Sequence, residues 1–133
     1  MSVESNKAVV RRLFEAINAQ DADALDEVLS PELAQEFKHN ILPWLSSTFA
    51  GHRFIVRDLI AEGNKVVAQL ATQGVHIGEW HGVAPTHKEW STTGIYVLRL
   101  EQDKVVEFEG VIYDLKVASQ IGASLALASS NTA

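Results

Sequence analysis

The stretch that most constrains the fold is Lys104 to Asp114, reading Lys-Val-Val-Glu-Phe-Glu-Gly-Val-Ile-Tyr-Asp. Side chains of an extended segment alternate between two faces. One face carries Val106, Phe108, Gly110, Ile112 and Asp114, and the other Val105, Glu107, Glu109, Val111 and Tyr113. The first face is apolar until it ends in a carboxylate. A carboxyl group at the rim of an apolar concavity is partly desolvated, a setting that suits proton transfer. Asp114 is therefore the leading candidate for acid/base chemistry. The same residue also reads as the N-cap of a following helix, a position where Asp is favoured. The two readings are compatible.

Before this strand the hydrophobic period is helical. Val9, Val10, Leu13, Phe14 and Ile17 keep i, i+3, i+4 spacing and predict a helix from Ser5 to Gln20. Asp21 or Asp23 caps a short second helix carrying Leu25, Val28 and Leu29, which Ser30-Pro31 ends. A short segment to His39 and a helix from Leu42 to Phe49, with Pro43 in its first turn, complete the helical half. From His52 the period becomes two. Strands are expected at Arg53–Ala61, Lys65–Trp80, Lys88–Leu100 and Lys104–Asp114, then a helix from Leu115 to Gly122. A strand as long as the second calls for a bulge, placed at Gly74 or Gly78. Helices first and a four-stranded antiparallel meander after them define an α+β architecture. One domain is expected over residues 1–122, with 123–133 a frayed tail.

Charge and composition narrow the partners. A net charge of −6, with Lys and Arg scattered singly apart from Arg11 and Arg12, argues against a nucleic-acid partner. There is no cysteine, hence no disulfide, thiolate metal site or cysteine nucleophile. No apolar run reaches the ~20 residues of a bilayer span, and the N-terminus lacks the basic and apolar segments of a signal peptide. A cytoplasmic location without membrane contact is the expectation.

On the second strand the even positions Val66, Ala68, Leu70, Thr72, Gly74, His76, Gly78 and Trp80 form the candidate inner face. If the register holds, His76 and Trp80 look into the same cavity as Asp114, and a bulge at Gly74 would turn His76 outward. His76 could donate to a carbonyl oxygen or share a proton with Asp114, or be satisfied by hydrogen bonds within the sheet. Trp44, Phe54, Trp80, Tyr96, Phe108 and Ile112 are candidate pocket walls, although core packing explains large aromatics equally well. The five histidines show no metal-ligand spacing, no glycine-rich phosphate loop occurs, and no serine sits in a nucleophile elbow. Neither metal nor cofactor is expected. Glu107 and Glu109 fall on the face opposite Asp114, as solvated or interface groups.

Several stretches resemble one family. Leu59-Ile-Ala-Glu-Gly-Asn-Lys-Val-Val, Val75-His-Ile-Gly-Glu-Trp-His-Gly-Val-Ala-Pro-Thr-His-Lys and Asp103-Lys-Val-Val-Glu are similar to the SnoaL-like polyketide cyclases, of the nuclear transport factor 2-like superfamily. The opening from Val10 to Leu25 resembles that superfamily's first helix and turn, and the likeness spans Lys7 to Gly122. It implies a cone-shaped curved antiparallel sheet wrapped around N-terminal helices, a deep apolar pocket, and a homodimer through the outer sheet face. It also implies an aldol ring closure with an aspartate as acid/base and no cofactor. The family's Val-Glu-His-Trp pattern becomes Val106-Glu107-Phe108-Glu109 here, so its histidine and tryptophan are absent. A gapless match sets Tyr113 at the family's aspartate, whereas the pattern of related hydrolases and isomerases sets Asp114 there. The usual Pro-Thr-Gly-Lys loop reads Pro85-Thr86-His87-Lys88.

Three functions fit these residues. One is an enzyme acting on a small apolar carbonyl compound, Asp114 removing a proton alpha to the carbonyl and His76 stabilising the enolate, with epoxide hydrolysis assisted by Tyr96 and Asn40 as a variant. The second is a protein that holds an apolar metabolite without turnover. The third is a subunit recruiting a partner through Val105, Val111 and Tyr113 on the outer face, which a homodimer would explain equally.

Overall fold

Five helices and four strands follow one another along the chain, which a computed structural model describes over residues 2–123. Helix α1, Val3–Ala19, starts two residues earlier than the expected Ser5. Ser2 and Ser5 form a reciprocal capping box there, with the Ser5 amide donating to Ser2 Oγ at 3.0 Å. Its buried face is Val9, Val10, Leu13, Phe14, Ala16 and Ile17, each large side chain contributing about 1.5–3 kcal/mol on burial. Helix α2, Ala22–Val28, is capped by Asp21, whose carboxylate accepts from the Ala24 amide.

Between α2 and the sheet the chain stays helical where a break was expected. Pro31 does not merely end α2; it opens helix α3, Pro31–Glu36, at a first-turn position where its missing N–H costs nothing. One π turn, Phe37–Ile41, joins α3 to helix α4, Leu42–Thr48. The wider turn absorbs Pro43, which has no amide to give the preceding helix.

The sheet is an antiparallel meander in the order β1-β2-β3-β4. Its strands are β1, Phe49–Glu62, β2, Lys65–His76, β3, Glu89–Glu101, and β4, Lys104–Ile112. Helix α5, Asp114–Ile121, follows, and the tail beyond residue 123 lies outside the described residues. On β2 the alternation is unbroken: Val66, Ala68, Leu70, Thr72, Gly74 and His76 are all buried. The bulges fall elsewhere. Strand β1 shifts register between Ala50 and Arg53 and again between Val56 and Asp58.

A third irregularity leaves Val106 unpaired, because Arg99 faces Glu107 while Leu100 faces Val105. The bulge corrects the expected faces of β4 at its start. Val105, assigned to the outside, is fully buried, and its carbonyl accepts from the Ser30 amide at 2.9 Å. Strand β2 also stops at His76 and not at Trp80. The amides of Ile77 and Gly78 both turn to the Thr48 carbonyl at the end of α4, drawing the chain off the sheet.

Helix α1 lies on the concave face. Phe14 sits at the centre of that packing, with ring centroids 5.4 Å from Phe54 and 6.2 Å from both Tyr96 and Phe108. Asn18 clamps the helix to β1: its amide donates to the Phe54 carbonyl and its oxygen accepts from the Phe54 amide, both at 2.8 Å. Strand β3 approaches β4 so closely at Gly110 that an added Cβ would meet the Ile95 carbonyl and lie 2.7 Å from Tyr96 Cα. Gly110→Ala is therefore expected to destabilise the fold by about 1–3 kcal/mol, the range for forced overpacking. Urea denaturation checks it.

Candidate active site

The curved sheet and the helices leave between them a cavity of about 500 Å³. Its walls are mainly aromatic and aliphatic: Phe37 and Trp44 from the helical segment, Phe49 and Phe54 from β1, Trp90 and Tyr96 from β3, Phe108 and Ile112 from β4. Every sequence-nominated wall residue, Trp44, Phe54, Trp80, Tyr96, Phe108 and Ile112, lines it. Trp44 does so at the opening, with half of its surface exposed. The polar groups that join them are His52, Thr72, Tyr96, His81 and Asp114.

Asp114 is placed by the join of β4 and α5. The Tyr113 amide donates to the Thr93 carbonyl and the Thr92 hydroxyl to the Tyr113 carbonyl, both at 3.0 Å, so the chain turns at a fixed point. Tyr113 occupies the N-cap position without a side-chain cap, and Asp114 is the first residue of the helix. Its negative charge there is favoured by the helix dipole. The carboxylate sits on the cavity rim, 3.4 Å from His81 Nε2, with 44% of its side chain exposed. Exposure of that size leaves it hydrated.

His81 reaches Asp114 from a tight turn. Trp80 and Val83 exchange both backbone hydrogen bonds, at 3.1 and 2.8 Å, around His81 and Gly82. Both central residues have positive φ, 48° and 79°, the signature of a primed turn. Glycine takes that conformation freely and histidine is among the residues that tolerate it. The sequence reading placed this segment in a loop. The His-Gly pair between two apolar residues was the available turn signal.

His76 does not line the cavity, which corrects the role expected of it. Its Nδ1 accepts from the Thr86 amide at 3.2 Å and lies 3.0 Å from the Thr86 hydroxyl. That acceptance puts the ring proton on Nε2, which is fully buried without a protein partner. Its backbone pairs with Lys88 and His87 as well. The correct parity brought His76 to the inner face, but the returning loop covers it. Its role is to anchor the far end of the segment that carries Trp80 and His81.

His52 was missed, because the first strand was begun one residue after it. The strand in fact starts at Phe49, and His52 lies among Phe49, Phe54 and Trp90, its ring 4.7 Å from Phe54. Its Nε2 shares a 2.9 Å hydrogen bond with the Thr72 hydroxyl. Burial lowers its pKa from 6.5 to about 4, so the ring is neutral at ordinary pH. Tyr96 shifts the other way: burial, and then the charge of Asp114, raise the phenol above its usual value and keep it protonated. Asn40, proposed to help position a water, donates instead to the Glu36 carboxylate at 2.8 Å and is not part of the cavity wall. Among the described residues no group of three or more His, Asp or Glu side chains is arranged to hold a metal ion, and no helix is long and apolar enough to cross a membrane.

A curved antiparallel sheet closed by helices over an aromatic cavity defines a nuclear transport factor 2-like fold. The SnoaL-like polyketide cyclase family model matches residues 7–121, and the chain belongs to that family. TsrD from Streptomyces laurentii has a similar structure, with a TM-score of 0.84 at 21% identity over 93% of this chain and 99% of that one. A SnoaL-like polyketide cyclase from Agrobacterium tumefaciens superposes with a TM-score of 0.76 at 15% identity, covering 92% and 100%. An NTF2-like protein from Burkholderia thailandensis gives 0.73 at 20%, covering 91% and 98%. At these identities the likeness establishes the fold alone. No curated protein matches the chain.

Proposed function

We propose that this chain is a cofactor-independent enzyme of the cyclase type, acting by acid/base catalysis on a small apolar carbonyl compound in the aromatic cavity. The observation that carries this reading is the Asp114 carboxylate on the rim of that cavity, 3.4 Å from His81 and lining the same walls as Tyr96. In the proposed step Asp114 takes a proton from the carbon alpha to a carbonyl. The C–H electron pair becomes the carbon–carbon double bond of the enolate as the carbonyl π pair moves onto oxygen, and the protonated Tyr96 donates a hydrogen bond to that oxygen. In a ring closure the enolate carbon then bonds to a second carbonyl carbon of the same molecule, whose oxygen recovers the proton from Asp114. His81, 3.4 Å away, orients the carboxylate.

The test uses 2-acetylnaphthalene, a neutral aryl methyl ketone, in deuterated buffer. Protein-accelerated replacement of its methyl protons, followed by NMR and lost in Asp114→Asn, supports the enzyme reading. Saturable binding with no accelerated exchange would leave a protein that holds an apolar molecule without turning it over.

The same proposal includes a homodimer through the outer sheet face. Ile55 and Ile60 of β1, Ile95 and Val97 of β3 and Val111 of β4 are exposed there, Val111 at 73%. Gln69 pairs with Ile95 and Ile95 with Val111, so these side chains form adjoining rows. Val105, named for this face from the sequence, is buried and takes no part. Ile95→Lys is expected to shift the sedimentation coefficient from dimer to monomer without loss of helical and strand circular dichroism. A wild-type chain that sediments as a monomer would end the dimer proposal.

A further inference from the structure

Along the sheet, His52 and Asp114 stand at opposite ends of one transverse row. His52 bonds Thr72 on β2, Thr72 pairs with Thr92 on β3, and Thr92 bonds Tyr113, the neighbour of Asp114. Three strand spacings separate the ends, about 14 Å along the curved surface and less across the concavity. Both side chains line the same cavity. The acid/base reading uses Asp114, His81 and Tyr96 and leaves His52 without a task.

His52 is built as a recognition group. Nε2 is occupied by Thr72, whose hydroxyl is itself buried, so the ring cannot rotate without losing that bond. Nδ1 has no protein partner among the described residues and keeps accessible surface, unlike the fully buried, partnerless nitrogens of His76 and Trp90, and His52 is part of the cavity wall. Its neighbours Phe49, Phe54 and Trp90 offer no acceptor side chain. Burial holds the ring neutral, so one nitrogen donates and the other accepts. If Thr72 donates to Nε2, then Nδ1 carries a proton to give; if Nε2–H donates to Thr72, then Nδ1 offers a lone pair. A hydroxyl group, both donor and acceptor, satisfies either tautomer, while a carbonyl or a carboxylate satisfies only the one with the proton on Nδ1, and a carboxylate would in addition bring an unpaired charge against an aromatic wall.

We infer that His52 Nδ1 is a second polar anchor of the cavity, and that it binds a neutral hydroxyl group on the end of the ligand remote from Asp114. The substrate class is then a neutral hydroxy-carbonyl compound, its carbonyl at the Tyr96 and Asp114 end and its hydroxyl at the His52 end. This inference rests on the small-molecule reading of the cavity, and the experiment separates the two.

The probes are 2-acetylnaphthalene and 6-acetyl-2-naphthol, the same ketone without and with a hydroxyl on the far ring, titrated by fluorescence at neutral pH. The wild type should bind the hydroxylated probe about tenfold more tightly, the worth of one good hydrogen bond. His52→Phe should erase that preference while binding 2-acetylnaphthalene at least as well. Thr72→Val, which leaves the imidazole in place but unheld, should reduce the preference in the same sense and guards against misfolding of the first variant. Asp114→Asn should keep it. Equal affinity of the two probes in the wild type overturns the inference with the cavity reading intact, as does a preference that survives His52→Phe or is lost in Asp114→Asn. If neither probe binds the wild type, the cavity reading and this inference fail together.

Discussion

Asp114→Asn is expected to slow α-proton exchange from a cavity-bound aryl ketone by about 100- to 10,000-fold, the contribution of one positioned general base. The amide matches the carboxylate in size but cannot take up a proton. Because the side chain is half exposed, the change leaves no buried charge or void, and affinity for 2-acetylnaphthalene should be unchanged. The effect therefore falls on the rate. His81→Ala should give a smaller loss, since the carboxylate keeps its place at the start of α5 and loses only its orienting neighbour. His76→Ala belongs to another category. It removes a fully buried ring that holds Thr86, so it should lower stability and loosen the segment bearing Trp80 and His81. Exchange kinetics, probe titration and urea denaturation on the three variants separate these outcomes. A His76→Ala protein that is fully stable yet as inactive as Asp114→Asn would return the catalytic role to His76.

The second large effect is acid sensitivity from His52. Its folded pKa of about 4 lies below the 6.5 of the unfolded chain, so the unfolded state takes up the proton first as pH falls. The stabilisation is complete above pH 6.5, is lost progressively down to about pH 4, and changes no further below that. The difference in pKa corresponds to a loss of about 3 kcal/mol at most. Carboxylates titrate in the same interval, so the measurement is the difference between the wild type and His52→Gln. Glutamine can keep a hydrogen bond to Thr72 but has no proton to gain. The variant's unfolding free energy should fall less steeply between pH 6.5 and pH 4, and parallel curves would show that His52 is not held neutral by burial.

The two variants draw on features that the sequence disclosed unequally. Asp114 was readable because it ends a strand whose inner face is otherwise apolar, and that pattern survives intact from Phe108 to Ile112. The wall residues were readable for the same reason. The inner faces of β2 and β4 and the stripe of α1 are set by burial of many side chains at once, so slipping any of them by one residue would expose a whole face. The parity also brought His76 inward correctly.

What parity cannot tell is which inward residue meets the cavity and which meets a returning loop. That was decided by contacts between segments far apart in sequence: Thr86 against His76, His81 against Asp114, and His52 against Thr72. Register shifts contributed too, since the bulge at Val106 turned Val105 inward, and the irregularity after Ala50 carried His52 into the aromatic wall. Bulges and tight turns cost little locally and leave only a weak mark on composition. The chain by itself thus determined the α+β order, the inner faces and the carboxylate at the strand end. Only the tertiary structure decided which histidines attend the cavity, because those choices rest on long-range packing that no single stretch of sequence encodes.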